Sequence, residues 1–280
     1  ILLLFTMISA TLMGGLGNQL FQIFAVLGYA FRYNVDYTFP RTKQKGDPRT
    51  KMYWDNILDK IAFSISPIPI KHPVYNESGF EFKEITKFNR SHKLFGYFQS
   101  YKYFQDQYDK IYNLLGLDEK KNKIRDKFGP FKDTISLHFR IGDYKCKHVK
   151  DYHPILDTIY FERCLNKIVE KTNRDDWNVL WFCEKEDERR IRLSRISILE
   201  KKFPNMTFTK AVDESDDWEQ LLMMSCCTHN IIANSSFSWW GAYFNSNPEK
   251  IICRPAIWFG PAMHDKDNIQ DLCPEEWLII

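Results

Sequence analysis

A polar segment that follows an apolar run is the part of this sequence best suited to binding an anion. It extends from Ala233 to Ala242 and reads ANSSFSWWGA, directly after Ile231 and Ile232. Ser and Asn in such a position favour the start of a helix, where the first backbone N–H groups bind phosphate. The alternative is an ordinary helix cap followed by two core tryptophans.

A cationic side chain follows another predicted strand. The segment His138-Phe-Arg-Ile-Gly-Asp143 ends the alternating stretch 134–139. His138 and Arg140 are two residues apart, so on a strand they point to the same side, and the planar guanidinium of Arg140 suits diphosphate oxygens. Asp143 follows in a loop, where it is either a general base or the partner of Arg140 in a salt bridge that closes the turn.

A glycine turn near the start of the chain is a third candidate. Gly14-Gly-Leu-Gly-Asn-Gln19 lies between a predicted strand and a predicted helix, where glycine permits a tight turn and the close approach of a ligand. Leu20 stands where a dinucleotide fingerprint has its third glycine. A Rossmann oxidoreductase therefore has only this turn in its favour, whereas the amides of Asn18 and Gln19 suit a polar substrate.

Acidic residues follow the apolar stretch 178–183, namely Glu184, Glu186, Asp187 and Glu188. An acid directly after a strand can contact a ribose, which makes Glu184 a candidate. For residues 186–188 the simpler interpretation is preferred, because acidic side chains in the first turn of a helix are stabilised by its dipole.

These segments are positioned by strands that alternate with helices along the whole chain, a pattern that predicts an α/β fold with parallel sheets. The predicted strands are 8–13, 35–39, 93–98, 134–139, 178–183, 206–209, 230–233 and 250–253. The predicted helices are 20–32, 101–115, 118–127, 155–170, 186–201, 218–227 and 237–244. A boundary near Gly129-Pro130 predicts two domains, 1–130 and 131–280. Every candidate segment lies at the carboxyl end of a strand, where such sheets bind ligands.

Composition excludes several classes of protein. Of 280 residues, 44% are hydrophobic, which excludes disorder, and the formal charge of +3 argues against a nucleic-acid partner. Seven cysteines without a Cys-x-x-Cys pair predict reduced thiols, not a disulfide framework or a zinc site. Asp265-Lys-Asp267 is predicted to be a solvated loop. The apolar residues 1–13 are too few to span a bilayer, so we expect a cytoplasmic or otherwise soluble protein, or one of a secretory lumen if the chain is trimmed.

Four segments, taken in order, resemble the family eleven glycosyltransferases, the α-1,2-fucosyltransferases. The first is GGLGNQLFQ at 14–22, and the second is GYFQS at 96–100, followed by Tyr103-Phe104. The third is HFRIGDY at 138–144, and the fourth is CTHNIIANSSFSWWGA at 227–242. Each segment is moderately specific, and their ordered combination carries the resemblance.

The resemblance implies a GT-B-like architecture, with two Rossmann-type domains whose parallel sheets face each other across a cleft. It implies that L-fucose moves from GDP-β-L-fucose to the 2-hydroxyl of a terminal galactose in a glycan, with inversion and without a metal or other cofactor. Carried onto this sequence, it assigns Arg140 to the β-phosphate of the departing GDP. Asp143 is the preferred base, His138 is the second choice, and a base from the first domain is a third.

The other site residues that the resemblance implies form three groups. Asn18 joins Arg140 and Asp143 as a catalytic residue. The residues that hold the donor are Gly15, Gly17, Gln19, His138, Glu184, Asn234, Ser235, Ser236, Phe237 and Ser238. The acceptor is held by Gln99 and Tyr144.

Two departures from the family pattern lie where the nucleoside is expected. Gln220 stands where the family often carries an acid, and Phe182-Cys-Glu-Lys185 replaces a Phe-Ser-Asp-Asp-like segment. A nucleotide-sugar-binding protein of the same fold that has lost catalysis is therefore the alternative.

Overall fold

The structure is a computed structural model that describes residues 6–42, 51–263 and 269–280. These residues divide into two compact units. The first takes its residues from 1–120 and 266–274, and the second from 121–265 and 275–280. Two parallel sheets, one in each unit, agree with the predicted α/β class.

A four-stranded parallel sheet forms the first unit. Its strands are β1 (Met7–Ala10), β2 (Asp36–Tyr37), β3 (Val74–Asn76) and β4 (His92–Phe95), in the spatial order β2-β1-β4-β3. Helix α1 (Leu16–Tyr33) follows β1 and packs against it, and α2 (Tyr108–Leu114) comes later in the chain. Helix α1 is buried along most of its length, and Asn34 is its C-cap, with a left-handed φ of 50°.

Helix α3 (Leu117–Phe128) contains the division between the units at 120/121. The division precedes the predicted boundary at 130/131 because the last two turns of α3 pack within the second unit. Lys121 is buried there and donates from Nζ to the carbonyl oxygen of Phe244 at 2.8 Å. Lys127 donates to the carboxylate of Glu219 at 2.8 Å.

A six-stranded parallel sheet forms the second unit. Its strands are β5 (Thr134–His138), β6 (Asn178–Phe182), β7 (Thr207–Lys210), β8 (His229–Ile231), β9 (Ile252–Arg254) and β10 (Leu278–Ile279), in the order β10-β9-β8-β5-β6-β7. The helices that follow them are α4 (Thr158–Thr172), α5 (Glu188–Ile191), α6 (Ser197–Lys202), α7 (Asp217–Cys226) and α8 (Ser236–Tyr243). A π-helical turn, Arg192–Ile196, joins α5 to α6.

The order of the strands reverses between β5 and β8. From β5 the chain proceeds outward to β6 and β7 on one side, and it then returns to β8, β9 and β10 on the other. Loops that leave the carboxyl ends of β5 and β8 therefore turn away from each other. This switch point is where open parallel sheets bind their ligands.

Most predicted elements are present, and the differences have local causes. The predicted helix 101–115 begins with two 3-10 turns, Tyr101–Tyr103 and Gln105–Gln107, so only its second half is α-helical. Strands β3 and β10 were not predicted, because they contain three and two residues with little burial to give a pattern. None of the described helices combines the length and the apolar character that crossing a bilayer requires.

Candidate functional site

The switch point of the second unit brings three of the candidate segments to one edge of the sheet. His138 ends β5, and the loop to Asp143 follows it. Glu184 follows β6, the neighbour of β5 on one side. The segment 233–238 follows β8, its neighbour on the other side.

Arg140 is the cation of this edge, and it lies between two carboxylates. Its Nη2 donates to Asp143 at 2.5 Å, and its Nη1 donates to Glu184. Burial alone would lower the pKa of Arg140, but Glu184, Tyr144 and Asp143 outweigh burial and raise the pKa above its ordinary value. The side chain is 19% exposed and that of Asp143 is 40% exposed, so both can meet a ligand.

The ring of Tyr144 packs against the guanidinium of Arg140. The guanidinium lies 5.0 Å from the centroid of the Tyr144 ring, and His153 stacks on that ring at 4.7 Å. The hydroxyl of Tyr144 donates to the carbonyl oxygen of Asn234 at 2.9 Å. Tyr144 is therefore buried with its hydroxyl bonded to Asn234, and its assignment to the acceptor, which the resemblance implied, stays a prediction.

His138 is buried at the end of β5, with its ring 5.6 Å from that of Phe237. Burial, helped by the charge of Arg140, lowers the pKa of His138 to about 3. Its Nδ1 has no hydrogen-bond partner among the described residues. The ring is therefore neutral near neutral pH, and the role of His138 as the second choice of base stays a prediction.

The predicted helix start is present as the first turn of α8. Ser235 is the N-cap, and its Oγ accepts a hydrogen bond from the backbone N–H of Phe237 at 3.4 Å. Ser238 is buried, and its Oγ accepts from the backbone N–H of Ala233 at 3.2 Å. Ser236 and Phe237 are half-buried, so they are the most accessible residues of this turn.

Asn234 holds two loops together. Its Nδ2 donates to the carbonyl oxygens of Pro154 and Trp258, at 2.9 Å and 3.1 Å. Its Oδ1 is buried without a hydrogen-bond partner among the described residues. Asn234 thus shapes the segment that precedes α8, and only Oδ1 is left to accept a bond from a donor substrate.

The predicted residues of the first unit gather where α1 begins. Gly14 has a left-handed φ of +72°, and Gly15 is the N-cap of α1. Asn18, in the first turn, accepts from Nε2 of Gln99 at 2.9 Å. This pair brings together a residue predicted for catalysis and one predicted for the acceptor.

Gly17 and Gln19 are buried in α1. Nε2 of Gln19 donates to the carbonyl oxygens of Gly14 and Lys51, at 3.2 Å and 3.1 Å. Gln19 therefore fixes the glycine turn from inside the fold, and its assignment to the donor remains a prediction.

Sequence reasoning missed one carboxylate, Glu77, and gave another, Asp187, a different role. Glu77 accepts the backbone N–H groups of Tyr97 and Phe98, at 2.7 Å and 3.0 Å, so it holds the turn that carries Gln99. Burial raises the pKa of Glu77 to about 6, against the effect of these two hydrogen bonds. Asp187 accepts the N–H of Gly142 at 2.7 Å. The only sequence signal at either place is a glycine within one of the four segments, Gly96 in GYFQS and Gly142 in HFRIGDY.

Within the described ranges, no group of three or more His, Cys, Asp or Glu side chains is arranged to hold a metal ion. Asp265 and Asp267, which were predicted to form a solvated loop, lie outside the described residues. Metal independence stays a prediction.

Comparison with known proteins identifies a family that matches most of this chain. The sequence model of the family described as Glycosyl transferase family 11 matches residues 70–279. The match contains three of the segments, and GGLGNQLFQ at 14–22 precedes it. It confirms the resemblance.

Two relatives from Escherichia coli show how far the similarity extends. Alpha-1,2-colitosyltransferase is 25% identical over an alignment of 319 residues, which covers 98% of this chain and 99% of the relative. O-antigen biosynthesis glycosyltransferase WbnK is 27% identical over 196 residues, which cover 66% of this chain and 59% of the relative. The chain thus spans less than two thirds of the second relative.

A solved structure supports the fold. Arabidopsis thaliana FUT1, determined as a mutant in complex with GDP, matches with a TM-score of 0.50 and 10% identity, and the match covers 96% of this chain and 75% of FUT1. At this identity the similarity concerns the fold alone, and it confirms the predicted GT-B-like α/β class.

The depressed pKa of His138 predicts a pH-dependent stability. The unfolded chain protonates this residue below about pH 6.5, whereas the native ring stays neutral down to about pH 3. Stability is therefore fully present above pH 6.5 and is lost as the pH falls, by about 2 kcal/mol between pH 7.5 and 5. Urea unfolding at both pH values should show that His138→Gln loses less stability than the unchanged chain. An equal loss would contradict the neutral native histidine.

Proposed function

The chain belongs to glycosyl transferase family 11, and from this premise we propose that it transfers L-fucose from GDP-β-L-fucose to the 2-hydroxyl of a terminal galactose in a glycan. The transfer inverts the anomeric centre and needs no metal or other cofactor. The observation that carries the proposal is the position of Arg140, a partly exposed cation after β5 at the switch point, where the neighbouring strand β8 leads into α8.

Arg140 acts on the leaving group. Negative charge grows on the β-phosphate as the bond to fucose breaks, and a positioned guanidinium stabilises that charge in the transition state. The partners that hold Arg140, Asp143 and Glu184, are both carboxylates. A diphosphate offers oxygens of the same kind, so it can take over one of these contacts without leaving the guanidinium unpaired.

The first turn of α8 holds the diphosphate from the other side of the switch point. The backbone N–H and the Oγ of Ser236, together with the positive end of the helix dipole, supply the attraction. The N–H of Phe237 already donates to Ser235. Ser235 and Ser238 fix this turn through the hydrogen bonds that their hydroxyls make to the backbone.

Asp143 is the base that we propose. The acceptor hydroxyl becomes a good nucleophile only if its proton leaves as the new bond forms. Asp143 is more exposed than Arg140, with which it pairs. A phosphate that engages Arg140 weakens this pair, so donor binding releases the carboxylate toward the acceptor.

A colitosyl donor is the second candidate, because the relative that covers nearly the whole chain is named Alpha-1,2-colitosyltransferase. Colitose is fucose without its 3-hydroxyl. The residues described above contact the diphosphate in our proposal, and that group is common to both donors. Turnover of GDP-fucose and GDP-colitose with one acceptor distinguishes the two candidates.

The direct test is GDP release from GDP-fucose, with and without lactose, in the presence of EDTA. We expect release that depends on lactose and is unaffected by EDTA. No release from either donor, with GDP still raising the melting temperature, would contradict transfer and support a binding protein. Release from GDP-colitose alone would establish the second candidate.

Arg140→Ala is expected to lower kcat roughly 100- to 1000-fold, because the developing phosphate charge loses its cation. Arg140→Lys is also expected to be slow, since one ammonium cannot reproduce a bidentate fork. The matched control is Arg189→Ala, which removes an exposed arginine of the same unit. Near-normal turnover by Arg140→Ala, in protein with an unchanged melting temperature, would refute the phosphate role.

Asp143→Asn keeps a carbonyl oxygen for Arg140 and removes the base. We expect kcat to fall roughly 100- to 10,000-fold, while the affinity for GDP, measured by calorimetry, changes little. If the variant keeps its kcat, another residue is the base, and the first unit is the next place to search for it.

A further inference from the structure

The proposed mechanism leaves one buried carboxylate close to this site without a role, that of Asp187. Its neighbours Glu186 and Glu188 are exposed and half-buried, whereas Asp187 is only 3% exposed. It stands at the N-cap position of α5, yet its side chain makes no capping hydrogen bond there. The stabilisation of a helix start, which the sequence suggested for it, therefore does not explain its burial.

Both oxygens of Asp187 instead face the loop that follows β5. Oδ2 accepts the backbone N–H of Gly142 at 2.7 Å, in a buried hydrogen bond. Oδ1 accepts from Nζ of Lys145 at 3.0 Å. The Lys145 side chain is 48% exposed, so water can take over its contact, but no water replaces a buried acceptor for Gly142.

Gly142 lies between Arg140 and Asp143, in a turn that tolerates little change. Its φ is +33°, in the region that favours glycine, and a Cβ placed on it would lie 2.4 Å from a carboxylate oxygen of Glu184. The turn is thus confined on one side by Glu184 and bonded on the other by Asp187. Any rotation about Gly142 moves Asp143 relative to Arg140.

We propose that Asp187 is a positioning residue, which sets the geometry between Arg140 and Asp143 through the N–H of Gly142. The proposal rests on the proposed function, in which Arg140 meets the phosphate and Asp143 takes the acceptor proton. A displacement of about 1 Å between reacting groups lowers rates roughly 100-fold. We call the hydrogen bond from the N–H of Gly142 to Asp187 the anchor. Its loss therefore lowers kcat, whereas the KM for the donor changes little because Arg140 and α8 remain.

Three variants separate the anchor from the charge. Asp187→Ala removes the acceptor and is expected to lower kcat roughly 10- to 100-fold. Asp187→Asn keeps an oxygen for Gly142 and is expected to stay within about threefold of the unchanged chain, as is Lys145→Met, which leaves the Gly142 bond intact. Glu186→Ala, at an exposed neighbour, is the matched control.

A second measurement does not depend on transfer. The 12 glycines of the chain give at most 12 backbone resonances after ¹⁵N-glycine labelling, so the Gly142 amide can be followed by hydrogen exchange. We expect a protected amide in the unchanged chain and in Asp187→Asn, and a rapidly exchanging one in Asp187→Ala. If the unchanged chain transfers neither sugar, the proposed function fails, and the exchange still reports on the anchor.

Several results would overturn the proposal. An Asp187→Ala variant with normal kcat removes the positioning role. Equal losses in Asp187→Asn and Asp187→Ala, or a large loss in Lys145→Met, would assign the effect to charge and not to Gly142. If Asp187→Ala does not fold, the other two proteins decide. An unprotected Gly142 amide in the unchanged chain would overturn the anchor, whereas an Asp187→Asn enzyme with normal kcat and a protected Gly142 amide would support it.

Discussion

The candidate site depends on keeping one guanidinium in place at the edge of a sheet. Arg140 is mostly removed from water, and burial disfavours its charge unless anionic partners compensate. Asp143 and Glu184 supply that compensation from two different loops, and the ring of Tyr144 lies beneath. The cation is therefore oriented in advance, and the phosphate of our proposal would exchange one anionic partner for another without having to order a flexible side chain.

Each unit secures its functional turn with a carboxylate from another loop. In the first unit Glu77 accepts the N–H groups of Tyr97 and Phe98, next to Gly96 with a φ of +154°. In the second, Asp187 accepts the N–H of Gly142. The N–H groups of these turns donate to carboxylates and not to a neighbouring strand, and such groups need an acceptor wherever water is excluded. An ionised carboxylate accepts a stronger hydrogen bond than a neutral carbonyl or hydroxyl oxygen does.

Sequence patterns predicted the sheets well and the supports of the site poorly. Strand β5 buries all five of its residues and β6 buries three of five, so the alternating pattern of the first and the apolar run of the second mark them to within a residue. The blocks around Arg140 and Ser235 were found because their residue types are unusual after a strand. Asp187 was assigned to a helix start because an acid before a helix has that ordinary explanation, and its partner Gly142 is 45 residues away. Such a pairing is fixed by tertiary structure and leaves no local pattern.

The neutrality of His138 follows from the same constraint. A proton on this buried ring would place a second positive charge close to Arg140, and both burial and that repulsion lower its pKa to about 3. The positive charge at the end of β5 therefore comes from Arg140 alone at any working pH. Affinity for a diphosphate then does not depend on a histidine titration. The preference for Asp143 over His138 as the proposed base rests on access, because His138 is buried beside Phe237, whereas the Asp143 side chain is 40% exposed.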